Sequence, residues 1–123
     1  MKNLANKIFL DYYNTEYTNV NKLKKYMFYS KKNLILILYI ASKSKITMED
    51  ACYNISPKVI SRSTIQNILK EGLANGFLEK KINPKDKRGK YYNLNENGKK
   101  ILEEWINDQK AIFGNIDNIK LAC

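Results

Sequence analysis

Apolar positions recur every three or four residues along most of this chain and give way to short aromatic and β-branched runs in one place only. Leu4, Ala5, Ile8, Phe9 and Tyr12 lie on one helical face, and Tyr17, Val20, Leu23 and Met27 continue the spacing. A polar break at Asn14-Thr15 leaves open one interrupted helix or two. The run Leu34 to Ala41 suits a buried strand or a buried helix, and its length and position favour a helix from about Lys31 to Lys43. Thr47, with Asp50 three residues on, approximates a capping box for a short helix whose apolar face is Met48, Ala51, Cys52 and Ile55. Ser61 caps the next helix. Ile65, Ile68, Leu69 and Leu73 face inward there, Ser63, Gln66, Asn67 and Lys70 face outward, and Asn75-Gly76 stops it. Phe77 to Ile82 and Lys90 to Leu94 pair as a hairpin around Asn83-Pro84-Lys85-Asp86-Lys87-Arg88-Gly89. Asn95 then caps a final long helix with Ile101, Leu102, Trp105, Ile106, Ile112 and Phe113 on its apolar face; Gly114 ends it, and Ile116 to Leu121 add a short turn. The pattern predicts a mainly α fold with a small β-hairpin (α+β), in which a helix is followed by a wing.

Composition narrows the chemistry. At 123 residues the chain is one domain, small enough that a dimer would add to its stability. Its 22 basic residues against 12 acidic ones give a formal charge of +10, which favours polyanions. The longest apolar run is too short to span a bilayer, so no membrane is expected. No signal peptide is visible, and two cysteines, Cys52 and Cys123, form no metal or redox motif. They read as reduced thiols in a cytoplasmic protein, with Cys52 buried. Histidine is absent, which removes the commonest general base and metal ligand. Glu49-Asp50 and Glu103-Glu104 are adjacent on helices and do not converge, so neither an enzyme nor a cofactor is expected.

Three motifs stand in register: Gly76-Phe77-Leu78-Glu79, then Asp86-Lys87-Arg88 in the hairpin turn, then Leu94-Asn95-Glu96-Asn97-Gly98. In this order and spacing the stretch Ser61 to Gly98 resembles the winged helix-turn-helix of MarR-family transcription regulators. The resemblance implies a winged helix-turn-helix core over residues 31–94, flanked by a dimerisation segment over 1–30 and a dimerisation helix over 95–123. It implies a homodimer whose interface includes Ile8, Tyr12, Leu102, Trp105, Ile106 and Phe113. It also implies a small-molecule effector in some members, and here no effector is assigned. Two features depart from the family. The connection Ser56-Pro57-Lys58 is about three residues longer than usual. Gly72 stands where a large apolar residue is usual and marks a close approach of another helix.

The expected partner is double-stranded DNA. Arg62, Ser63, Gln66 and Asn67 sit where a recognition helix reaches base edges, since Gln and Asn pair with adenine and Arg with guanine. Ser61, Thr64 and Lys70 are placed for phosphates. From Lys80 to Lys90 the wing carries Lys80, Lys81, Lys85, Lys87, Arg88 and Lys90 against Asp86 alone. By the resemblance, Arg88 enters the minor groove and Asp86 orients it. The whole reads as a transcriptional repressor. The alternative is a winged helix that binds a protein or a single strand, for which only Tyr91 and Tyr92 offer stacking surfaces, and one of that adjacent pair should face the core. Lys22, Lys24, Lys25, Lys31 and Lys32 read as a solvated basic face.

Overall fold

The computed structural model describes residues 1–18, 26–28, 30–85 and 89–112, with backbone alone at 15–18. In chain order the described elements are α1 (Lys2–Thr18), α2 (Lys31–Lys43), α3 (Met48–Asn54), α4 (Arg62–Asn75), β1 (Leu78–Ile82), β2 (Lys90–Leu94) and α5 (Glu96–Ile112). The apolar run after Lys31 is a helix, and its bounds are those the pattern predicts. Helix α1 runs unbroken through Asn14-Thr15, so the polar break does not divide it. Val20, Leu23, Gly114, Cys123 and the cluster Lys22, Lys24 and Lys25 lie outside the described residues.

Side-chain caps define the starts of α2, α3 and α4. Ser30 accepts the backbone N–H of Asn33 at the head of α2. At α3, Thr47 accepts the Asp50 N–H at 3.0 Å while the Asp50 carboxylate accepts the Thr47 N–H at 3.0 Å, a complete capping box. Ser61 accepts the Thr64 N–H at 3.3 Å for α4. That helix ends at Gly76 with φ 82 and ψ 26, a left-handed cap that a Cβ would strain.

The two strands pair antiparallel, Leu78 opposite Leu94 and Ile82 opposite Lys90. A single bridge adds a third, one-residue strand that the pattern did not predict: Ile46 and Tyr92 exchange backbone hydrogen bonds of 2.9 and 2.7 Å. It pins the α2–α3 connection to the wing. Period-two alternation then sends Tyr92 toward the core, while Tyr91 faces the other way beneath the Lys45 ammonium, 4.6 Å from the ring centroid.

One core joins α2, α3, α4, the two strands and α5. Met27, Leu36, Ile37, Ile40, Ile46, Ile60, Ile65, Leu69 and Phe77 are fully buried within it. Cys52, expected to be buried, is half-buried at its edge, because Ala51 takes the innermost position of the short α3. The close approach at Gly72 is also real but differs in kind. A Cβ there would stand 2.5 Å from Leu78 Cδ1 and 3.1 Å from the Phe77 ring, so the neighbour is the start of β1 and not another helix.

Candidate nucleic-acid interface

Helix α4 is buried along one side by Ile65, Ile68, Leu69 and Gly72, and this fixes what the other side shows. Arg62, Ser63, Gln66, Asn67 and Lys70 are all exposed and follow the helical repeat along one face. The face is polar over its whole length. Ser61 and Thr64 differ from expectation, since both are half-buried and their hydroxyls hydrogen-bond each other at 2.9 Å as part of the cap. Their oxygens hold the helix start together.

Arg62, the first residue of α4, is already engaged. Its guanidinium donates to the Glu49 carboxylate on α3 at 2.8 Å, and that hydrogen bond and the Glu49 charge raise its pKa further. Both side chains stay largely in solvent, so the pair is one that an incoming anion can exchange. Sequence reasoning missed Glu49, because nothing local says that it faces a residue thirteen positions on. Arg62 also lies at the positive end of a helix with no acidic residue in its first turn, so an anion from elsewhere is favoured there.

The wing rises from the end of α4. Asn83 donates its N–H to the Gly89 carbonyl at 3.0 Å and accepts the Lys85 N–H through its side chain at 2.9 Å, so both shoulders of the turn are fixed. Lys80, Lys81 and Lys85 are exposed, whereas Asp86, Lys87 and Arg88 lie outside the described residues. At the wing's base Asn93 donates to the Glu79 carboxylate at 2.6 Å. This bond, outweighing the opposing effect of desolvation and helped by Lys81 at 3.4 Å, holds the Glu79 carboxyl below its ordinary pKa.

One clamp sets the wing against the helices. Asn95 donates its backbone N–H to the Phe77 carbonyl at 3.1 Å and its side-chain amide to the Gly76 carbonyl at 2.6 Å, and its Oδ1 accepts the Gly98 N–H at 2.8 Å. A Cβ at Gly98 would collide with the Phe77 carbonyl oxygen. The first and third motifs are thus two halves of one joint.

The expected interface residues fall in different environments, and further exposed apolar residues lie beside them on α1. Phe9, Leu10, Tyr12 and Tyr13 are exposed along α1, and Ile8 is half-buried. Trp105 stacks on Phe28 with centroids 5.3 Å apart, and it and Ile106 are half-buried against the chain's own core. Leu102 is only 3% exposed, so it fills that core and is not available to a partner; the apolar stripe of α5 is wide enough to serve two neighbours. Phe113 lies outside the described residues. A cavity of about 340 Å³ opens between the end of α2 and α5, lined by Ala41, Leu94, Leu102 and Ile106 with Ser44, Lys99 and Glu103 as its polar groups.

No protein-family model matches the chain, and no curated protein does. Solved structures do. A point mutant of MarR from E. coli superposes with a TM-score of 0.56 at 20% identity, covering 83% of this chain and 78% of that one. The same mutant complexed with operator DNA gives 0.53 at 18% identity over the same shares. The adhesin competence repressor AdcR from Streptococcus pyogenes gives 0.52 at 21% identity, covering 99% of this chain and 79% of that one. This chain has the MarR winged-helix fold. Within that fold α3 and α4 are two helices joined by a turn, and the β1–β2 hairpin follows them. Among the described residues no helix is long and apolar enough to cross a membrane.

Proposed function

We propose that the protein is a MarR-family regulator of transcription, a cytoplasmic homodimer that binds double-stranded DNA in a sequence-specific way and acts as a repressor. The observation that carries this is the α4 face, where Arg62, Ser63, Gln66, Asn67 and Lys70 are exposed on a helix buried behind and flanked by a basic hairpin. In this reading α4 enters the major groove and the wing, with Arg88 at its tip, enters the adjacent minor groove. Ser63, Gln66 and Asn67 read base edges, Lys70 takes a phosphate, and Arg62 does either after leaving Glu49. Asp86 orients Arg88. The exposed aromatics of α1, with Ile8, meet their copies in the partner subunit. No catalytic step is assigned.

The test is fluorescence anisotropy with a generic duplex and its single strands across a salt series. The expected result is duplex binding whose log–log slope against salt falls by close to one unit per phosphate contact. Arg88→Ala should weaken it at matched salt while the far-ultraviolet dichroism stays that of the parent. Flat, weak binding to duplex and single strands alike refutes the DNA reading.

A further inference from the structure

The turn between α3 and α4 is built, not slack. Ile55 and Ile60 bury its two ends, at 8% and 1% exposure. Inside it the Ser56 carbonyl accepts the N–H groups of Val59 at 2.8 Å and Ile60 at 3.0 Å, and the Ser56 hydroxyl accepts the Lys58 N–H at 3.2 Å. Pro57 fixes its own φ between them. The exposed Arg62–Glu49 pair spans the turn from α3 to α4. A rigid turn of this kind loses little conformational freedom when something binds it.

What the turn displays is Lys58, exposed, and Val59, 46% exposed beside the buried Ile60. A lone exposed valine is ordinary on a protein surface. This one is held three residues ahead of Arg62, where the polar face of α4 begins. We propose that the Ser56–Ile60 turn is a second DNA-reading element continuous with the recognition helix, in which Lys58 takes a backbone phosphate and Val59 packs on a thymine C5-methyl group. The methyl is the one apolar group that base edges offer in the major groove, and an ammonium suits a phosphate as a point charge. A protein partner fits less well, because stable docking needs about 1,000 Å² or more and the turn offers only Val59 and the Pro57 ring. The inference rests on the DNA-binding reading above.

The experiment starts from duplexes selected by the full-length chain out of a random pool and then measured by anisotropy. Lys58→Gln, Val59→Ser and Arg88→Ala are compared with the parent, each thymine of the selected site being replaced in turn by uracil, which removes only the methyl. Lys58→Gln is expected to lower the salt slope by about one unit. One uracil is expected to weaken the parent roughly ten-fold, the low end for a single methyl group, and to leave Val59→Ser no weaker than it already is. The proposal stands only if both variants respond in this way. If Arg88→Ala loses affinity while Lys58→Gln keeps the slope or Val59→Ser keeps the parent's uracil profile, the DNA reading survives and the turn inference falls. If no duplex is selected, or single strands bind as well, both fall.

Discussion

Replacing Gly98 with alanine tests the joint that sets the wing against the helices, and the structure gives it a sign opposite to that of helix propensity. Inside a helix Gly→Ala ordinarily stabilises by about 1 kcal/mol. Here the new Cβ would overlap the Phe77 carbonyl oxygen and lie 3.2 Å from both the Phe77 carbonyl carbon and Leu94 Cδ2. The obstacle is backbone, so no rotamer change relieves it. If the helix start stays in place, overpacking costs about 1–3 kcal/mol. If α5 withdraws, it gives up the bonds from Asn95 to the Phe77 and Gly76 carbonyls, at 3.1 and 2.6 Å. Those two are together worth about 1–3 kcal/mol. After the propensity gain, a net loss of up to about 2 kcal/mol remains. Urea unfolding at fixed protein concentration, followed by dichroism, should show the midpoint falling by up to about 1 M. Gly72→Ala is the comparison, since its obstruction is mainly the side chain of Leu78. A Gly98→Ala protein that gains the full helix-propensity benefit of about 1 kcal/mol would refute the joint.

Three further outcomes follow from the same geometry. Glu49→Gln removes the anion that engages Arg62, so duplex affinity by anisotropy should rise several-fold with the melting temperature unchanged; unaltered affinity would mean that Arg62 does not reach DNA. Asn93→Ala removes the main cause of the lowered Glu79 pKa, so the titration midpoint of that carboxyl, read by carbon NMR, should move up toward the ordinary value. Because the folded value lies below the unfolded one, the stability Glu79 contributes is present above the ordinary carboxylate range and is lost as pH falls through the folded value. Asn93→Ala should therefore flatten the acid limb of the stability curve. Ser44→Gly should raise the urea midpoint, because Ser44 caps α2 at φ 69, where a side chain is strained and glycine is not.

What could be read from the chain is what depends on neighbours a few residues apart. The caps at Thr47, Ser61 and Asn95, the stop at Gly76, both strands and the bounds of α2 all follow from local hydrogen-bonding chemistry and the 3.6-residue repeat. The polar face of α4 followed for the same reason, since fixing its buried side fixes the other. Leu102 did not, because periodicity identifies an apolar stripe but not which neighbour covers each row of it. Gly72 announced a close approach without saying by what, and the answer, Leu78, depends on how β1 folds back after Phe77. Glu49 carried no signal at all, because long-range ion pairing leaves none in a single sequence. The wing motif Asp86-Lys87-Arg88 stays a sequence-level expectation, outside the described residues.

A short aromatic segment between α1 and α2 joins the two parts of the fold. The Tyr26 hydroxyl donates to the Glu71 carboxylate near the end of α4, and its ring lies 5.8 Å from that of Phe77. Burial first, then the hydrogen bond and charge of Glu71, raise the Tyr26 pKa, so the hydroxyl stays protonated and remains a donor. Met27 is fully buried, and Phe28 stacks on Trp105 of α5. Asn33 fixes the segment from α2, its side-chain amide donating to the Tyr26 carbonyl at 3.2 Å. Three consecutive residues therefore hold the end of α4, the core and α5 at once. The Asn95–Gly98 clamp joins α5 to the Gly76–Phe77 step from the other direction. Rotating α5 against α4 would have to break the Phe28–Trp105 stack or the Tyr26–Glu71 bond, together with the two Asn95 bonds. These contacts lie in two places and, with the shared core, give a route by which the flanking helices and the exposed face of α4 can be coupled.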